Sequence, residues 1–345
     1  MPDHLWTVPD AGTTRINIRK RPAMYVGDVQ QPGLLHLISE VVSNSLDQVL
    51  QGFATFIDVE LQPDGRSLTV RDDGAGLPFE MPGPEGYESL ASSYLTSLHH
   101  SASVDGHAPH VHLHRLRGVG VVAANVLARN FVCQSWRSGQ LWQQTFLAGD
   151  SQGPPRVIET GSGRGTEIRL EPDPDIFNDT RIDPTRLGEM LEEACFLYPG
   201  IRISLNKQLF HAPGGLADLA RRLLETSTVN DRWGDRPAFS MQESFDDMMI
   251  HAAAVGYAEN STHCCSWVNY QKTPAGGTHQ TAFTHALRTA GWKPQILLIH
   301  TIMRDARFAG PTRQMLDMPG LQHTIAERIQ PLLSDYCRQK SLRAD

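Results

Sequence analysis

The sequence has no run of apolar residues long enough to cross a membrane, and residues 1–4 do not begin a secretory signal. Only five of its 345 residues are cysteines, and no two of them have C-x-x-C spacing. This usage excludes a scaffold built on many disulfides and predicts reduced, mostly buried thiols. We therefore expect a cytoplasmic protein that does not associate with membranes.

An excess of positive charge is also missing, because 38 acidic residues outnumber 31 basic ones and give a net charge of -7. A chain with this charge does not coat nucleic acid through its overall field, although a local basic surface or a DNA-handling partner is compatible with it. With 40% hydrophobic residues, a chain of this length can form two domains, each with its own core.

A helical pattern runs through residues 38–50, ISEVVSNSLDQVL. Apolar residues line one face, whereas Glu40, Asn44 and Asp47 lie at i, i+4 and i+7 on another. A solvated helix presents a polar face of the same kind. The motifs that follow therefore decide whether this face is functional.

Two glycine-containing motifs follow this helix. Asp72 opens an Asp-x-Gly-x-Gly turn after a predicted hairpin of strands 56–61 and 67–71, and residues 117–120, Arg-Gly-Val-Gly, open another apolar helix. Triphosphate hydrolysis requires a base for water, an oxygen ligand for magnesium and backbone N–H groups facing the phosphates. The helix and the two motifs together predict a nucleotide-phosphate site.

The order of these motifs, together with residues 19–28, RKRPAMYVGD, resembles the ATPase region of the DNA gyrase B and topoisomerase IV B subunits, members of the GHKL superfamily. The resemblance implies an α/β (α+β) fold, with a GHKL (Bergerat) ATPase sandwich followed by a small β-α-β transducer domain. We place an irregular N-terminal arm at 1–15, the ATPase domain at 16–214, and the transducer-like domain with its C-terminal helix at 215–345.

The resemblance also implies residue roles. Glu40 orients or deprotonates the attacking water, Asn44 binds Mg²⁺, and Asp72 accepts the adenine amino group of ATP. Thr166 lies beside that aspartate or is simply a strand residue, and Arg137 lies at the rim of the adenine pocket. The other nucleotide-binding residues that it implies are Asp47, Gly76, Leu77, Pro78, Arg117, Gly118, Val119 and Gly120.

The sequence departs from the family pattern in the lid over the triphosphate, residues 87–117. The usual lysine is missing near Ser103, His114 and Arg115 stand where the family has two glycines, and Arg117 replaces a histidine. Residues with a Cβ adopt left-handed backbone less readily than glycine, so this lid closes by another path or closes incompletely. Arg115 and Arg117 can restore positive charge near the phosphates.

Other departures affect the adenine rim and the transducer. Gln48 and Ala75 replace the two partners of an ion pair at the rim, so neither charge is left alone. In the transducer, residues 276–279, Gly-Gly-Thr-His, match the family, and Arg313 replaces the lysine that reaches the γ-phosphate. The segment that usually precedes the last strand is absent, which puts coupling between nucleotide and transducer in question.

His110, His112 and His114 alternate within the lid and would share one face of an extended segment. Such a face can bind zinc or nickel. The other interpretation is a polar lid that binds no metal.

The resemblance predicts an ATP-binding and ATP-hydrolysing module that closes as an ATP-dependent homodimer clamp. Because no Toprim region or catalytic-tyrosine domain is found, we expect this chain not to cleave DNA by itself and to work with a separate DNA-cleaving topoisomerase-like subunit. The lid departures leave an alternative open, which is a nucleotide-responsive interaction module with little or no ATP turnover. The arm either reaches a second subunit or packs on its own domain through Trp6.

Overall fold

The computed structural model of the chain describes residues 11–98, 120–226, 237–245, 248–303, 306–310 and 313–340. The chain divides into two compact units, Met1–Cys195 with Ile201–His211, and Phe196–Gly200 with Ala212–Asp345. No helix in the described ranges is long and apolar enough to cross a membrane. The functional domain boundary between residues 214 and 215 stays a prediction.

The first unit is organised around one long helix. Pro32 lies in its first turn, where a missing N–H costs no helical hydrogen bond. The predicted apolar face is confirmed, since Leu34, Ile38, Val41 and Leu46 are fully buried. Burial of side chains of this size contributes roughly 1.5–3 kcal/mol each. The helices of this unit are α1 (Ala11–Lys20), α2 (Ala23–Val26), α3 (Gln31–Leu50), α4 (Leu90–Thr96), α5 (Gly120–Leu127) and α6 (Pro184–Leu197), the last two residues of α6 belonging to the second unit.

A largely antiparallel sheet packs with these helices. Its strands are β1 (Phe56–Leu61), β2 (Leu68–Asp72), β3 (Ala128–Arg137), β4 (Gln140–Leu147), β5 (Asp150–Ser151), β6 (Arg156–Thr160), β7 (Gly165–Pro172), β8 (Arg202–Leu205) and β9 (Gln208–His211). Their order is β5-β4-β3-β7-β2-β1-β8-β9, with β6 also paired to β4. The predicted hairpin is β1–β2, and its second strand ends at Asp72 next to β7. The hairpin therefore delivers this carboxylate to the end of the sheet.

The prediction of an irregular arm is wrong for residues 11–15, because α1 begins at Ala11. Gly12 lies in the first turn of this helix, where the backbone N–H groups have no helical hydrogen-bond partner in any helix. The buried side chains of Thr14 and Ile18 hold the helix against the rest of the unit. Residues 1–10, which include Trp6, lie outside the described ranges.

The elements of the second unit are α7 (Leu216–Thr226), β10 (Ala238–Phe245), β11 (Met248–Val255), β12 (His263–Val268), β13 (Gln271–Lys272), α8 (Thr278–Thr289), β14 (Ile296–Met303) and α9 (Pro319–Gln339). Its sheet has the order β10-β11-β14-β12-β13. Parallel β12 and β14 are joined through α8, so the predicted β-α-β order is found. Phe283 of α8 and Ile325 and Ile329 of α9 are buried in the core on one face of the sheet, and α7 packs against β11 and β14.

Helix α9 runs continuously through Pro331. Pro331 lies on the exposed side, whereas Ile325, Ile329, Leu333 and Cys337 are buried at four-residue spacing. Packing along that face outweighs the loss of one backbone hydrogen bond at the proline.

Candidate nucleotide site

The polar face of α3 forms one end of the candidate site. Glu40 is buried, and its Oε1 lies 3.1 Å from Nε2 of His36, one helical turn earlier. Asn44 is half-buried on the same face. His36 was not among the predicted site residues, although its i, i+4 spacing to Glu40 is the signal that identifies it.

The carboxylate of Glu40 lies directly against the start of α5. A Cβ placed on Gly120 would come within 1.9 Å of Oε2 of Glu40, so a larger residue here would displace the Glu40 carboxylate. The first N–H groups of a helix lack intrahelical partners and carry partial positive charge. The predicted glycine therefore brings a helix N-terminus to the predicted catalytic carboxylate.

Asp47 follows Glu40 by about two turns on α3. Its Oδ1 is buried and makes no hydrogen bond to the described residues. Burial, with a smaller contribution from the charge of Glu40, raises the pKa of Asp47 well above the usual range. An acid in this environment favours its protonated form more than Asp usually does.

Asp72 forms the other end of the candidate site. Its Oδ2 accepts a hydrogen bond from Oγ of Ser45 at 2.8 Å, and its Oδ1 accepts from the backbone N–H groups of Gly74 at 2.9 Å and Thr166 at 3.2 Å. Burial raises the pKa of Asp72, and these three hydrogen bonds oppose that rise. The structure thus brings Thr166 to Asp72 and holds the carboxylate in one orientation.

The turn after Asp72 packs closely on β3. Gly76 has a φ of +79°, and a Cβ there would come within 2.3 Å of the carbonyl oxygen of Trp136. The N–H of Leu77 donates to Oγ of Ser135 at 2.6 Å, and the carbonyl of buried Pro78 accepts from the N–H of Ala91. These contacts fix the path of the predicted binding residues Gly76, Leu77 and Pro78.

At the adenine rim, a hydrogen bond stands where the family has an ion pair. Oε1 of Gln48 accepts a hydrogen bond from the backbone N–H of Ala75 at 3.1 Å, so the two replacing residues still contact each other. Arg137 forms an ion pair with Glu80 at 2.7 Å and donates to the carbonyl of Gly76 at 3.1 Å. The predicted rim arginine therefore lies at the glycine turn.

Several predicted site residues lie outside the described part of the first unit. Arg117, Gly118, Val119 and the three alternating lid histidines lie outside the described ranges. Arg313 belongs to the second unit, where its φ is +55° and its N–H donates to the carbonyl of Gly310 at 3.2 Å. Among the described residues, no three His, Cys, Asp or Glu side chains form a group that could hold a metal ion.

No protein-family model matches the chain. It is 32% identical over 291 residues to the B subunit of DNA topoisomerase 4 from Caulobacter vibrioides, an alignment that covers 80% of this chain and 41% of the relative. It is 34% identical over 281 residues to the DNA gyrase B subunit of Thermotoga maritima, with 78% and 43% covered. The chain is a homologue of the ATPase region of the gyrase B and topoisomerase IV B subunits.

The fold of this gyrase B homologue agrees with that relationship. The crystal structure of the 43K ATPase domain of Thermus thermophilus gyrase B, in complex with an aminocoumarin, superposes with a TM-score of 0.75 and 25% sequence identity. The match covers 95% of this chain and 92% of that one. The GHKL fold inferred from the sequence is therefore confirmed. The chain spans about two fifths of the length of the curated relatives named above.

Proposed function

We propose that this gyrase B homologue binds ATP with Mg²⁺, hydrolyses it, and closes as an ATP-operated homodimer clamp. The observation that carries the proposal is that one helix, α3, builds both ends of the site. Glu40 contacts the N-terminus of α5, and Ser45, five residues later, holds the Asp72 carboxylate. A helix rises about 1.5 Å per residue and is stiff, so the two ends keep a fixed separation.

Asp72 is suited to recognise adenine. Three donors already fix its two oxygens, and a carboxylate oxygen can accept a further hydrogen bond from an exocyclic amino group. A guanine base presents a carbonyl oxygen where adenine presents its amino group, and that oxygen would be repelled. Asp72 therefore discriminates between the two purines.

The residues present also fit magnesium. Mg²⁺ prefers oxygen ligands and is usually held by one or two protein groups together with substrate phosphates, so the lack of a three-residue acidic or histidine group among the described residues is consistent with such a site. The side-chain oxygen of Asn44, on the same face as Glu40, supplies the protein ligand. The ion neutralises phosphate charge when it is bound.

Glu40 is positioned to handle the attacking water. His36 contacts Oε1, which orients the carboxylate, and Oε2 lies at the helix N-terminus that faces the phosphates in this proposal. A positioned carboxylate that accepts a proton from water contributes about 10²- to 10⁴-fold to the rate. Arg313, from the second unit, would contact the γ-phosphate.

The clamp would act with a separate DNA-cleaving topoisomerase-like subunit and with DNA. Nucleotide-driven closure would bring two copies of this chain together, and hydrolysis would reopen them. The comparison that supports this proposal is the similarity to the B subunits of DNA gyrase and of topoisomerase 4.

Binding measurements test the site directly. We expect Asp72→Ala to weaken ATP binding by at least about tenfold, because a recognition hydrogen bond to a charged group is lost. Asn44→Ala should weaken only the magnesium-dependent part of ATP affinity. Asp64→Ala, in the β1–β2 turn, is the matched control and should bind ATP normally. Calorimetric titration with ATP and GTP, with and without Mg²⁺, measures these effects. Unchanged ATP affinity in the Asp72 variant would contradict the proposed site.

The second candidate function is a nucleotide-responsive interaction module with little turnover. The missing lysine near Ser103 and the replaced glycines at His114 and Arg115 favour it, because lid closure assembles a hydrolysis site. This candidate predicts nucleotide-dependent dimerisation without phosphate release, whereas rapid turnover would exclude it.

A further inference from the structure

Arg164, just before β7, has no role in the site described so far, yet its guanidinium joins two segments of the first unit. Its Nε donates to the carbonyl of Gly74 at 3.4 Å, and its Nη2 donates to the carbonyl of Phe53. Gly74 lies in the turn that follows Asp72, and Phe53 lies in the turn that follows α3. The arginine thus ties the glycine turn to the end of the helix that carries Glu40.

The backbone on both sides of Arg164 is held in place. A Cβ on Gly163 would come within 2.3 Å of the ring of Trp136, so this residue lies flat against the indole. Gly165 has a φ of +101°, and a Cβ there would come within 1.9 Å of the carbonyl oxygen of Asp72. Because both neighbours are fixed, Arg164 leaves the backbone in a defined direction.

Gly74 is consequently held at both of its polar groups. Its N–H donates to Oδ1 of Asp72, and its carbonyl accepts from Arg164. The next N–H, that of Ala75, donates to Gln48. A shift of Gly74 would therefore remove one of the three donors that orient the Asp72 carboxylate.

We propose that Arg164 is a positioning residue for purine recognition, acting through Gly74 on the orientation of Asp72. The inference rests on the proposed function, in which Asp72 recognises adenine. The forked guanidinium bonds two carbonyls at once, whereas the ammonium group of a lysine acts as a single point donor on a flexible stem. The requirement is therefore for arginine and not for positive charge alone.

The first test needs no nucleotide. Hydrogen exchange of the backbone amides of residues 74–77 is compared in wild type, Arg164→Ala, Arg164→Lys and Arg169→Ala. Arg169 is an exposed arginine on β7 and serves as the matched control. We expect exchange of the Gly74 and Ala75 amides to become about tenfold faster in both Arg164 variants and to be unchanged in Arg169→Ala.

The second test measures nucleotide selectivity. Because ATP and ADP share the base, both Kd values should rise by about 3- to 10-fold in Arg164→Ala, and the preference for ATP over GTP should fall. The kcat of Arg164→Ala at saturating ATP should stay within about twofold of the wild-type value. Arg164 contacts the turn that follows α3 and not the part of the site around Glu40. Matching thermal midpoints for the variants and Arg169→Ala would show that the fold is intact.

These tests distinguish failure of adenine recognition by Asp72 from failure of the positioning role of Arg164. If wild type shows no preference for adenine nucleotides, the proposed recognition by Asp72 fails, and the role of Arg164 fails with it. If wild type prefers ATP but Arg164→Ala keeps the same ATP-to-GTP ratio and the same amide exchange, the role of Arg164 alone is overturned.

Discussion

At the scale of single residues, the candidate site depends on close approaches that any added side chain would disturb. Gly120 against Glu40 and Gly165 against the Asp72 carbonyl each place glycine Cα atoms where a Cβ would overlap an oxygen. Sequence motifs indicated Gly120, Glu40 and Asp72. Arg164 could not be predicted, because its partners are backbone carbonyls distant in sequence and any residue type supplies a carbonyl.

The Gly120 contact gives a direct prediction. Gly120→Ala should displace the Glu40 carboxylate or the start of α5, and it should lower ATP turnover by at least tenfold while costing about 1–3 kcal/mol of unfolding free energy. Gly188→Ala in α6 is the control, because its Cβ would make only ordinary contacts of 3.7 and 3.8 Å with Phe210 and Leu205. The control should be stabilised by up to about 1 kcal/mol. Thermal unfolding and phosphate release measure both variants, and equal behaviour of the two would contradict the geometry.

At the scale of elements, a periodic apolar pattern predicted the long helix α3 but not α1 or α4. The helix predicted over residues 38–50 lies within α3 and ends at the same residue, Leu50. Helix α4 was missed because its buried side includes polar Ser92 and Ser93, which a hydrophobic pattern does not reveal. Ser92 is buried, and its hydroxyl donates a hydrogen bond to Oε1 of Gln144 on β4 at 2.8 Å, which offsets the cost of burying it. Sequence alone does not identify this partner.

In the second unit, His300 of β14 links the sheet to the end of α6. Its Nδ1 lies 3.1 Å from the carbonyl of Leu197, and its Nε2 contacts the carbonyl of Asn269. Burial, with a smaller contribution from the neighbouring His251, lowers its pKa to about 3, and the contacts with the carbonyls of Asn269 and Leu197 oppose that shift. Burial likewise lowers the pKa of His279 to about 4. Both rings are therefore neutral in the folded chain at neutral pH.

This burial predicts an acid-sensitive second unit. Histidine in the unfolded chain titrates near pH 6.5. Between about pH 6.5 and pH 3, His300 is therefore protonated in the unfolded chain but neutral in the folded chain. Stability should fall as pH falls through this window, by up to about 1.4 kcal/mol per pH unit for each such histidine. His300→Gln should flatten the dependence of unfolding free energy on pH, and His279→Gln should flatten it down to about pH 4. If the unfolding free energy of the wild type and of both variants has the same dependence on pH, the pKa values of these two histidines are not lowered in the folded chain.

At the scale of the whole molecule, the sequence predicted a GHKL-type sandwich followed by a β-α-β unit, and the fold and the relatives agree with it. Antiparallel neighbours such as β1 and β2 are close in sequence and easy to infer. The parallel pairing of β1 with β8 joins residues far apart in the chain, and no local pattern specifies it. The clamp and its partner subunit stay proposals that solution measurements must test.

The measurement that tests the central proposal most directly is magnesium-dependent ATP turnover by the purified protein, with Glu40→Ala alongside and native mass recorded with and without a non-hydrolysable ATP analogue. Glu189→Ala, an exposed glutamate on α6, is the matched control. We expect turnover in wild type and control, at least a 100-fold loss in Glu40→Ala, and a doubling of native mass with the analogue. Turnover that survives in Glu40→Ala would contradict the assignment of the catalytic carboxylate, and analogue-driven doubling without turnover would identify a switch in place of an ATPase.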